Sequence, residues 1–579
     1  MLKKLVPCIK NYWFYTIITP VLMIGEVAME ILIPYIMSWI VDNGINGTGT
    51  DAERIAYVAK MGGIMVLFAL FSMCCGALAG KTAAKAGAGF AKNVRQRLFY
   101  AVQDFSFANT DHFSTASLVT RLTTDVTNTQ NVFMMLLRMA IRSPLMLIGG
   151  LIMAIKINSR LALVFAVIMP IMIVAIAIFM IIAYPRFKIM LTRIDSMNSV
   201  VQEDLVAIRV VKAFVRGEHE DKKFSEAADK LRDAQVRAER LLVYGMPIMS
   251  ICMYGCILAV VIFGGKMIIG GTMSTGQLIS FISYITQILM SLLMFGMILI
   301  NIVLTRASAS RIVEVLNEVP EIQDVDSDYA VEDGSIEFEN VDFSFAKSAD
   351  NLTLSNINLK IESGETIGII GGTGSAKSTL VQLIPRLYDV LGGSVKVGGR
   401  DVREYSLETL RNSVAMVLQK NVLFSGTIKE NLRWGDENAT DEEIKEACEA
   451  AAAAEFIESF PDGYETDLGQ GGVNVSGGQK QRLCIARALL KRPKIVILDD
   501  STSAVDTATD AQIRAAFREK LAGTTTIIIA QRINSVMDAD RILVMDNGRI
   551  DAFDTHENLM KNNEIYREVY NSQQKGEDE

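Results

Sequence analysis

The sequence predicts a fold in two parts: an α-helical membrane bundle of six transmembrane helices with long cytosolic extensions, and a C-terminal α/β domain with a helical subdomain. Three observations support this prediction. The 579-residue chain is 50% hydrophobic with a mean hydropathy of +0.29, which is too apolar for a soluble enzyme of this length. Six long apolar stretches precede Thr305. After Thr305 the hydropathy changes, and a strand, a glycine-rich loop and a helix follow one another.

Each apolar stretch is long enough to cross about 30 Å of hydrocarbon, which takes about 20 helical residues. The predicted spans lie near residues 14–41, 61–80, 133–155, 161–185, 241–269 and 277–305. The turn-like segment GGTMSTG separates the last two spans. The third span is the weakest prediction, because Arg138 and Arg142 shorten its uncharged run.

The positions of Lys and Arg predict the orientation of the spans. Residues 81–142 carry eight basic residues and residues 186–240 carry twelve, whereas the connections on the opposite side are short or poor in them. Both segments and both termini are therefore predicted to face the cytosol. The basic residues either set this topology alone or also dock on the following domain, and the sequence leaves both possibilities open.

Composition excludes several other classes of protein. The formal net charge of −8 gives no reason to expect nucleic acid as a partner. The seven cysteines form no C-x-x-C pair, so neither structural disulfides nor zinc is expected. The N-terminal segment has no small-residue cleavage site before its first apolar stretch, and it is expected to be a retained membrane anchor.

Glu26 and Glu30 lie four residues apart inside the first span, and hence on one helical face. Because an ionised carboxylate facing lipid is costly, this face is expected to point into a bundle or a watery cavity. A contact with a transported substrate and a purely structural polar contact both fit this pattern.

The segment ETIGIIGGTGSAKSTLVQLI predicts a phosphate-binding loop, because a strand, a glycine-rich loop and a helix N-terminus bring backbone N–H groups together around an anion. Lys377 would reach the β- and γ-phosphates of a nucleotide, and the Ser378 hydroxyl would bind Mg²⁺. Ala376 replaces the last glycine of G-x-x-x-x-G-K-S, which is tolerated if this residue adopts helical angles. The predicted loop residues are Gly371, Gly372, Thr373, Gly374, Ser375, Ala376, Lys377, Ser378 and Thr379.

Four further motifs follow the loop in a fixed order. They are VLQKNVLFSGTI with Gln419, VSGGQKQR at 475–482, the acid-tipped strand KIVILDD ending in Asp499 and Asp500, and SAVD at 503–506. With them the whole chain resembles the ATP-binding cassette (ABC) exporters whose subunit fuses six spans to one nucleotide-binding domain. The resemblance implies a transmembrane domain at 1–310 with two cytosolic coupling loops, a linker at 311–334 and an α/β P-loop ATPase domain at 335–579.

The resemblance also implies a role for each matching residue. Phe345 would stack on adenine, although a place in the core of a strand is the alternative. Gln419 would touch Mg²⁺ or the attacking water, and Asp499 would hold Mg²⁺ through water. Because the family sandwiches two ATP molecules between two domains, a dimer is implied, with coupling helices near 110–118 and 209–216. The residues closing on a nucleotide of the second subunit would be Ser476, Gly477, Gly478 and Gln479.

Three further residues depart from the family pattern. Asp500 occupies the position of the catalytic glutamate, Gln531 that of the switch histidine, and Gln470 that of a usual acid. The missing methylene withdraws the carboxylate by roughly 1.5 Å, and a general base must lie within about 2.6–3.2 Å of its water. The sequence therefore predicts a site that holds MgATP and hydrolyses it poorly. This is the pattern of one subunit of heterodimeric bacterial multidrug exporters.

The predicted function is that of an exporter subunit in a bacterial plasma membrane. It would move drug-like or amphipathic compounds out of the cytosol or inner leaflet, with a second half-transporter that has Glu and His in place of Asp500 and Gln531. Three alternatives stay open: export of lipid or peptide, a homodimer that uses Asp500 as a working base, and an ATP-gated regulator that does not pump.

Overall fold

The computed structural model describes residues 2–500, 507–520 and 523–575. The chain divides into two compact units. The first, called the membrane unit below, comprises Met1–Gln103 and Ser114–Glu318. The second, the nucleotide unit, comprises Asp104–Phe113 and Val319–Glu579.

Nine helices precede the first strand of the described chain. They are α1 Leu2–Leu5, α2 Trp13–Trp39, α3 Asp51–Gln103, α4 Phe107–Phe113, α5 Thr115–Thr120, α6 Val126–Ile157, α7 Ser159–Ala213, α8 Gly217–Ile269 and α9 Thr275–Asn317. Short 3₁₀ or π segments connect α1 to α2, extend α2 to Ile45 and join α5 to α6. Six helical stretches within this set are long and apolar enough to cross a membrane, which confirms the predicted number of spans.

Three of the membrane helices are much longer than a bilayer is thick. α3, α7 and α8 contain 53, 55 and 53 residues, and a rise of 1.5 Å per residue makes each about 80 Å long. The hydrocarbon core is about 30 Å thick, so these helices continue well beyond it. Within the unit α2 packs on α3, α6 on α9, and α7 on α8.

The nucleotide unit contains two sheets and a set of shorter helices. The strands are β1 Ile336–Phe343, β2 Leu354–Ile361, β3 Thr366–Gly371, β4 Gly392–Val397, β5 Arg400–Asp401, β6 Val414–Val417, β7 Ile495–Asp499, β8 Thr525–Ile529, β9 Arg541–Asp546 and β10 Arg549–Asp554. The helices are α10 Lys377–Gln382, α11 Leu407–Ser413, α12 Ile428–Leu432, α13 Asp441–Ala450, α14 Ala454–Glu458, α15 Gly477–Leu490, α16 Thr507–Lys520, α17 His556–Asn562 and α18 Glu564–Lys575.

The larger sheet has the order β10-β9-β3-β8-β7-β6, and all its strands are parallel except β10. β7 and β8 are buried at every position, as expected for a parallel sheet covered on both faces. The carboxyl ends of β3, β6, β7 and β8 therefore meet at one edge, where ligands bind in open α/β sheets. The smaller sheet, β2-β1-β4-β5, is antiparallel.

α4 belongs to the nucleotide unit although it lies between two membrane helices in the chain. The Tyr388 hydroxyl donates to Asp111 at 2.9 Å, and the Phe107 and Tyr388 rings lie 6.0 Å apart. The Asn109 amide nitrogen donates to the Val319 carbonyl at 3.3 Å. Residues 104–113 of the first basic segment are therefore part of the nucleotide unit itself, and they overlap the start of the predicted 110–118.

Candidate functional site

The glycine-rich loop connects β3 to α10 in a conformation that glycine makes possible. A Cβ atom on Gly371 would lie 2.2 Å from the Met545 carbonyl oxygen, and Gly374 has a φ of +85°. The Lys377 ammonium lies inside the loop and donates to the carbonyls of Gly371 at 2.9 Å and Gly372 at 2.8 Å. A cation and a helix N-terminus thus face the same cradle, which fits a phosphate group.

Ala376 adopts a conformation that the sequence did not predict. It caps α10 with φ 68° and ψ 26°, in the left-handed region, so the helical angles on which the tolerance of alanine was expected to depend are not adopted. A residue with a Cβ atom is disfavoured there by roughly 1–2 kcal/mol. The loop therefore carries local strain at Ala376.

Replacing Ala376 with Gly should relieve this strain. We expect the free energy of unfolding of the nucleotide unit to rise by up to about 1 kcal/mol, because the greater freedom of glycine in the unfolded chain offsets part of the gain. Thermal unfolding of the full chain with and without ATP measures the change. A Gly374→Ala variant, at φ +85°, is the matched control and should be destabilised.

Two oxygen ligands of the type that Mg²⁺ prefers meet beside the loop. The Ser378 hydroxyl donates to Asp499 Oδ1 at 2.8 Å, and Asp499 is the last residue of β7. Burial raises the pKa of Asp499 and lowers that of Lys377. A divalent cation would offset this desolvation of the carboxylate, so the residues present fit Mg²⁺.

Asp500 and Gln531, the two departures that affect one chemical step, are in direct contact. The Gln531 side-chain amide donates to Asp500 Oδ2 at 2.7 Å, and the Gln419 side chain also hydrogen-bonds this carboxylate. Burial raises the pKa of Asp500, and the two amides partly oppose this effect. Both predicted catalytic amides thus bind the carboxylate itself.

Gln573 is a contributor to this site that the sequence did not indicate. It lies on α18, where its side-chain amide donates to the Gln531 carbonyl and accepts from the Ile533 N–H, each at 2.8 Å. These two bonds fix the backbone on which Gln531 stands. No short motif marks a glutamine in an amphipathic helix of this kind, so Gln573 could not be singled out from the sequence.

The remaining predicted residues lie elsewhere on the nucleotide unit. Phe345 is 55% exposed and contacts the Tyr388 ring edge-on at 5.3 Å, so its ring lies outside the core of the sheet. Ser476 caps α15 and forms a capping box with Gln479. Among the described residues, no hydrogen bond joins Ser476–Gln479 to the glycine-rich loop. The predicted SAVD motif at 503–506 lies outside the described residues.

In the membrane unit, Arg142 of α6 lies between the two carboxylates of the first span. Its guanidinium pairs with Glu26 and, at 2.8 Å, with Glu30. Glu26 is buried, and its second carboxylate oxygen has no hydrogen-bond partner among the described residues. In the sequence, Arg142 only shortens the uncharged run of the third span. Its pairing with the first span could not be predicted, because contacts between distant helices leave no local pattern.

The membrane unit also contains an apolar cavity of about 650 Å³ between α6, α7 and α9. Its only polar side chain among the lining residues is Ser143, which is buried and has an unpaired hydroxyl in the described structure. The volume is typical of a pocket for a drug-sized ligand. The apolar residues that line it include Ile148, Met169, Ile173, Met180, Leu292 and Phe295.

The chain is similar to known proteins along its whole length. A family model described as the ABC transporter transmembrane region matches residues 16–292, and one described as ABC transporter matches residues 354–503. The uncharacterized ABC transporter ATP-binding protein YfiB of Bacillus subtilis is 37% identical over 99% of this chain and 98% of its own.

Two further similarities concern export. The putative multidrug export ATP-binding/permease protein YgaD of Bacillus subtilis is 31% identical over 99% of both chains. The structure of a bacterial Atm1-family ABC exporter with ATP bound matches with a TM-score of 0.82 and 25% identity, covering 96% of this chain and 98% of that one. The chain therefore belongs to the ABC transporter family, as an exporter half-transporter that fuses a six-helix membrane region to one ATPase domain.

Proposed function

We propose that this chain is the ATP-holding subunit of a heterodimeric exporter in a bacterial plasma membrane, with both termini and the nucleotide unit in the cytosol. The carrying observation is the 2.7 Å hydrogen bond between Gln531 and the short Asp500 carboxylate, beside Lys377, Ser378 and Asp499. The chain has side chains suited to bind MgATP. The Glu and His that would activate water are replaced by Asp500 and Gln531, which are hydrogen-bonded to each other.

In this proposal the chain's residues divide into two sets. Lys377 and the loop around Gly371–Thr379 hold the phosphates of ATP, Ser378, Asp499 and Gln419 hold Mg²⁺, and Phe345 stacks on adenine. The bound Mg²⁺ neutralises phosphate charge. Ser476–Gln479 serve the site of the partner subunit. They lie at the start of α15 and, among the described residues, form no hydrogen bond with the glycine-rich loop of their own chain.

The partner also accounts for an exposed apolar surface at the end of α7. In the predicted coupling segment 209–216, Phe214 and Val215 are 73% and 88% exposed, and nearby Val206 is 82% exposed. Val215 has a φ of +54° at the turn before α8. Exposed apolar clusters of this kind mark interaction sites, and we assign this one to the second half-transporter.

The proposed cargo is a drug-like amphipath. The cavity of about 650 Å³ is lined by apolar side chains and contains the single unpaired Ser143 hydroxyl, which fits an apolar molecule with one hydrogen-bonding group. Filling the cavity by Ala177→Phe should lower export of such compounds, while binding of ATP stays near that of the unmodified chain. Uptake into inside-out vesicles distinguishes a pump from a channel, because only a pump concentrates its cargo.

The decisive experiment is co-production with the half-transporter encoded beside this chain, if that protein carries Glu and His in place of Asp500 and Gln531. We expect the pair to turn over ATP at roughly 1–10² s⁻¹ and this chain alone to bind ATP with far slower turnover. In the pair, Ser476→Ala should lower turnover far more than Asp500→Asn. Rapid turnover by this chain alone, or equal effects of the two substitutions, would contradict the proposal.

A further inference from the structure

Arg138 lines a small cavity between α3 and α6 of the membrane unit. The cavity has a volume of about 230 Å³, below the range of drug-sized pockets. α3 contributes small residues, which leave room beside the guanidinium, and α6 contributes flexible methionines. The lining residues are Gly80, Ala83, Ala84, Met134, Met135, Arg138 and Met139.

Among the described residues, the guanidinium of Arg138 has no ion-pair partner, in contrast to that of Arg142 one turn later on the same helix. Arg142 binds both Glu26 and Glu30. Arg138 Nε is buried without a hydrogen-bond partner, and no carboxylate of the described residues forms an ion pair with Arg138. The two arginines therefore have different roles, and the carboxylates of α2 neutralise only one of them.

An unpaired cation in a membrane helix is costly and points to a ligand. A charged side chain inside a span is costly unless it is paired, and Arg138 lies near the start of the predicted third span, 133–155. Its planar group donates two parallel hydrogen bonds to a phosphate or carboxylate. The neighbouring methionines are suited to an adaptable apolar contact.

We propose that this cavity binds the anionic head group of an amphipathic molecule, with Arg138 as the ligand of its phosphate, sulfate or carboxylate. The volume accommodates a head group and the start of a tail, and the rest of the tail lies outside. The idea that this cavity binds a transported substrate rests on the proposed export function. The binding of an anionic head group does not depend on that function. The source is either a bilayer lipid or a transported solute, and both present the same chemistry.

The test uses the full-length chain in nanodiscs without ATP, so a failure of export does not affect it. The solute probe is dodecyl phosphate in phosphatidylcholine discs, and the matched neutral probe is dodecylphosphocholine, whose phosphate is capped by choline. Arg138→Met should weaken binding of dodecyl phosphate by about tenfold or more, the effect of losing one charge-assisted contact. Arg138→Lys should weaken binding of dodecyl phosphate less than Arg138→Met does. Dodecylphosphocholine should bind weakly to every variant.

The lipid probe is phosphatidylglycerol, counted by native mass spectrometry after reconstitution with phosphatidylcholine. Retention by the unmodified chain and loss in Arg138→Met identify a lipid as the ligand, and no retention with saturable dodecyl phosphate binding identifies a solute. Ala84→Leu keeps the charge and fills the cavity, so it should also weaken binding. Lys266→Met, at the end of α8, is the control cation outside the cavity. Equal binding by Arg138→Met and the unmodified chain, or an equal loss in Lys266→Met, would overturn the proposal.

Discussion

Replacing Asp500 with Glu and Gln531 with His together is expected to raise ATP turnover at this chain's own site by about 10²–10⁴, the usual contribution of general-base catalysis. The longer side chain restores roughly 1.5 Å of reach toward the attacking water. The histidine replaces an amide that cannot become cationic with a ring that can stabilise developing charge. Phosphate release by the purified full-length dimer at saturating ATP measures the change.

The two substitutions are expected to be non-additive. Gln531 donates to Asp500 at 2.7 Å, and residues in direct contact couple energetically. Asp500→Glu alone leaves the amide bonded to the carboxylate and should recover only part of the rate. Adding Lys377→Ala to the double variant should abolish the gain, which assigns it to this site. An unchanged rate in both the homodimer and the assembly with the partner would show that the length of the side chain at position 500 does not limit hydrolysis at this site.

Arg142→Met is expected to destabilise the membrane unit by about 3 kcal/mol. The change leaves Glu26 and Glu30 without their cation, and removing one partner of a buried ion pair costs about 3–5 kcal/mol. We expect the lower end of this range, because the Arg142 and Glu30 side chains are 27% and 31% exposed. The midpoint of thermal unfolding, followed by tryptophan fluorescence in one fixed detergent, measures the loss.

Arg138→Met is the matched control, since it removes from the same helix a guanidinium without an ion-pair partner among the described residues and should not lower the midpoint. The triple variant Glu26→Gln, Glu30→Gln and Arg142→Met removes all three charges and should recover most of the lost stability. If the triple variant is as unstable as Arg142→Met, the packing of the arginine stem matters more than its charge. A small effect of Arg142→Met would show that the carboxylates are stabilised by other means.

The features predicted well from the sequence are those with a local pattern. The six apolar stretches correctly predicted six spans, because a helix that crosses the hydrocarbon needs about 20 consecutive apolar residues. The glycine-rich loop and the acid-tipped strand could be placed together, since carboxyl ends of parallel strands share one edge of a sheet. The Ser378–Asp499 hydrogen bond joins residues 121 positions apart at that edge.

The features that the sequence did not show depend on tertiary contacts. The left-handed angles of Ala376 are imposed by the loop around it and oppose the preference of alanine itself. The pairing of Arg142 with Glu26 joins two helices 116 residues apart. Gln573 reaches the backbone of Gln531 from the last helix. In each case the side chain alone carries no indication of its partner.

The placement of α4 bears on how the nucleotide unit can be produced as a separate protein. A single truncation upstream of Ser335 would discard α4, and with it the groups that contact Tyr388 and the backbone near Val319. The isolated fragment would then expose to solvent an aromatic surface that α4 covers in the full chain. A faithful recombinant fragment needs residues 104–113 supplied separately or grafted on.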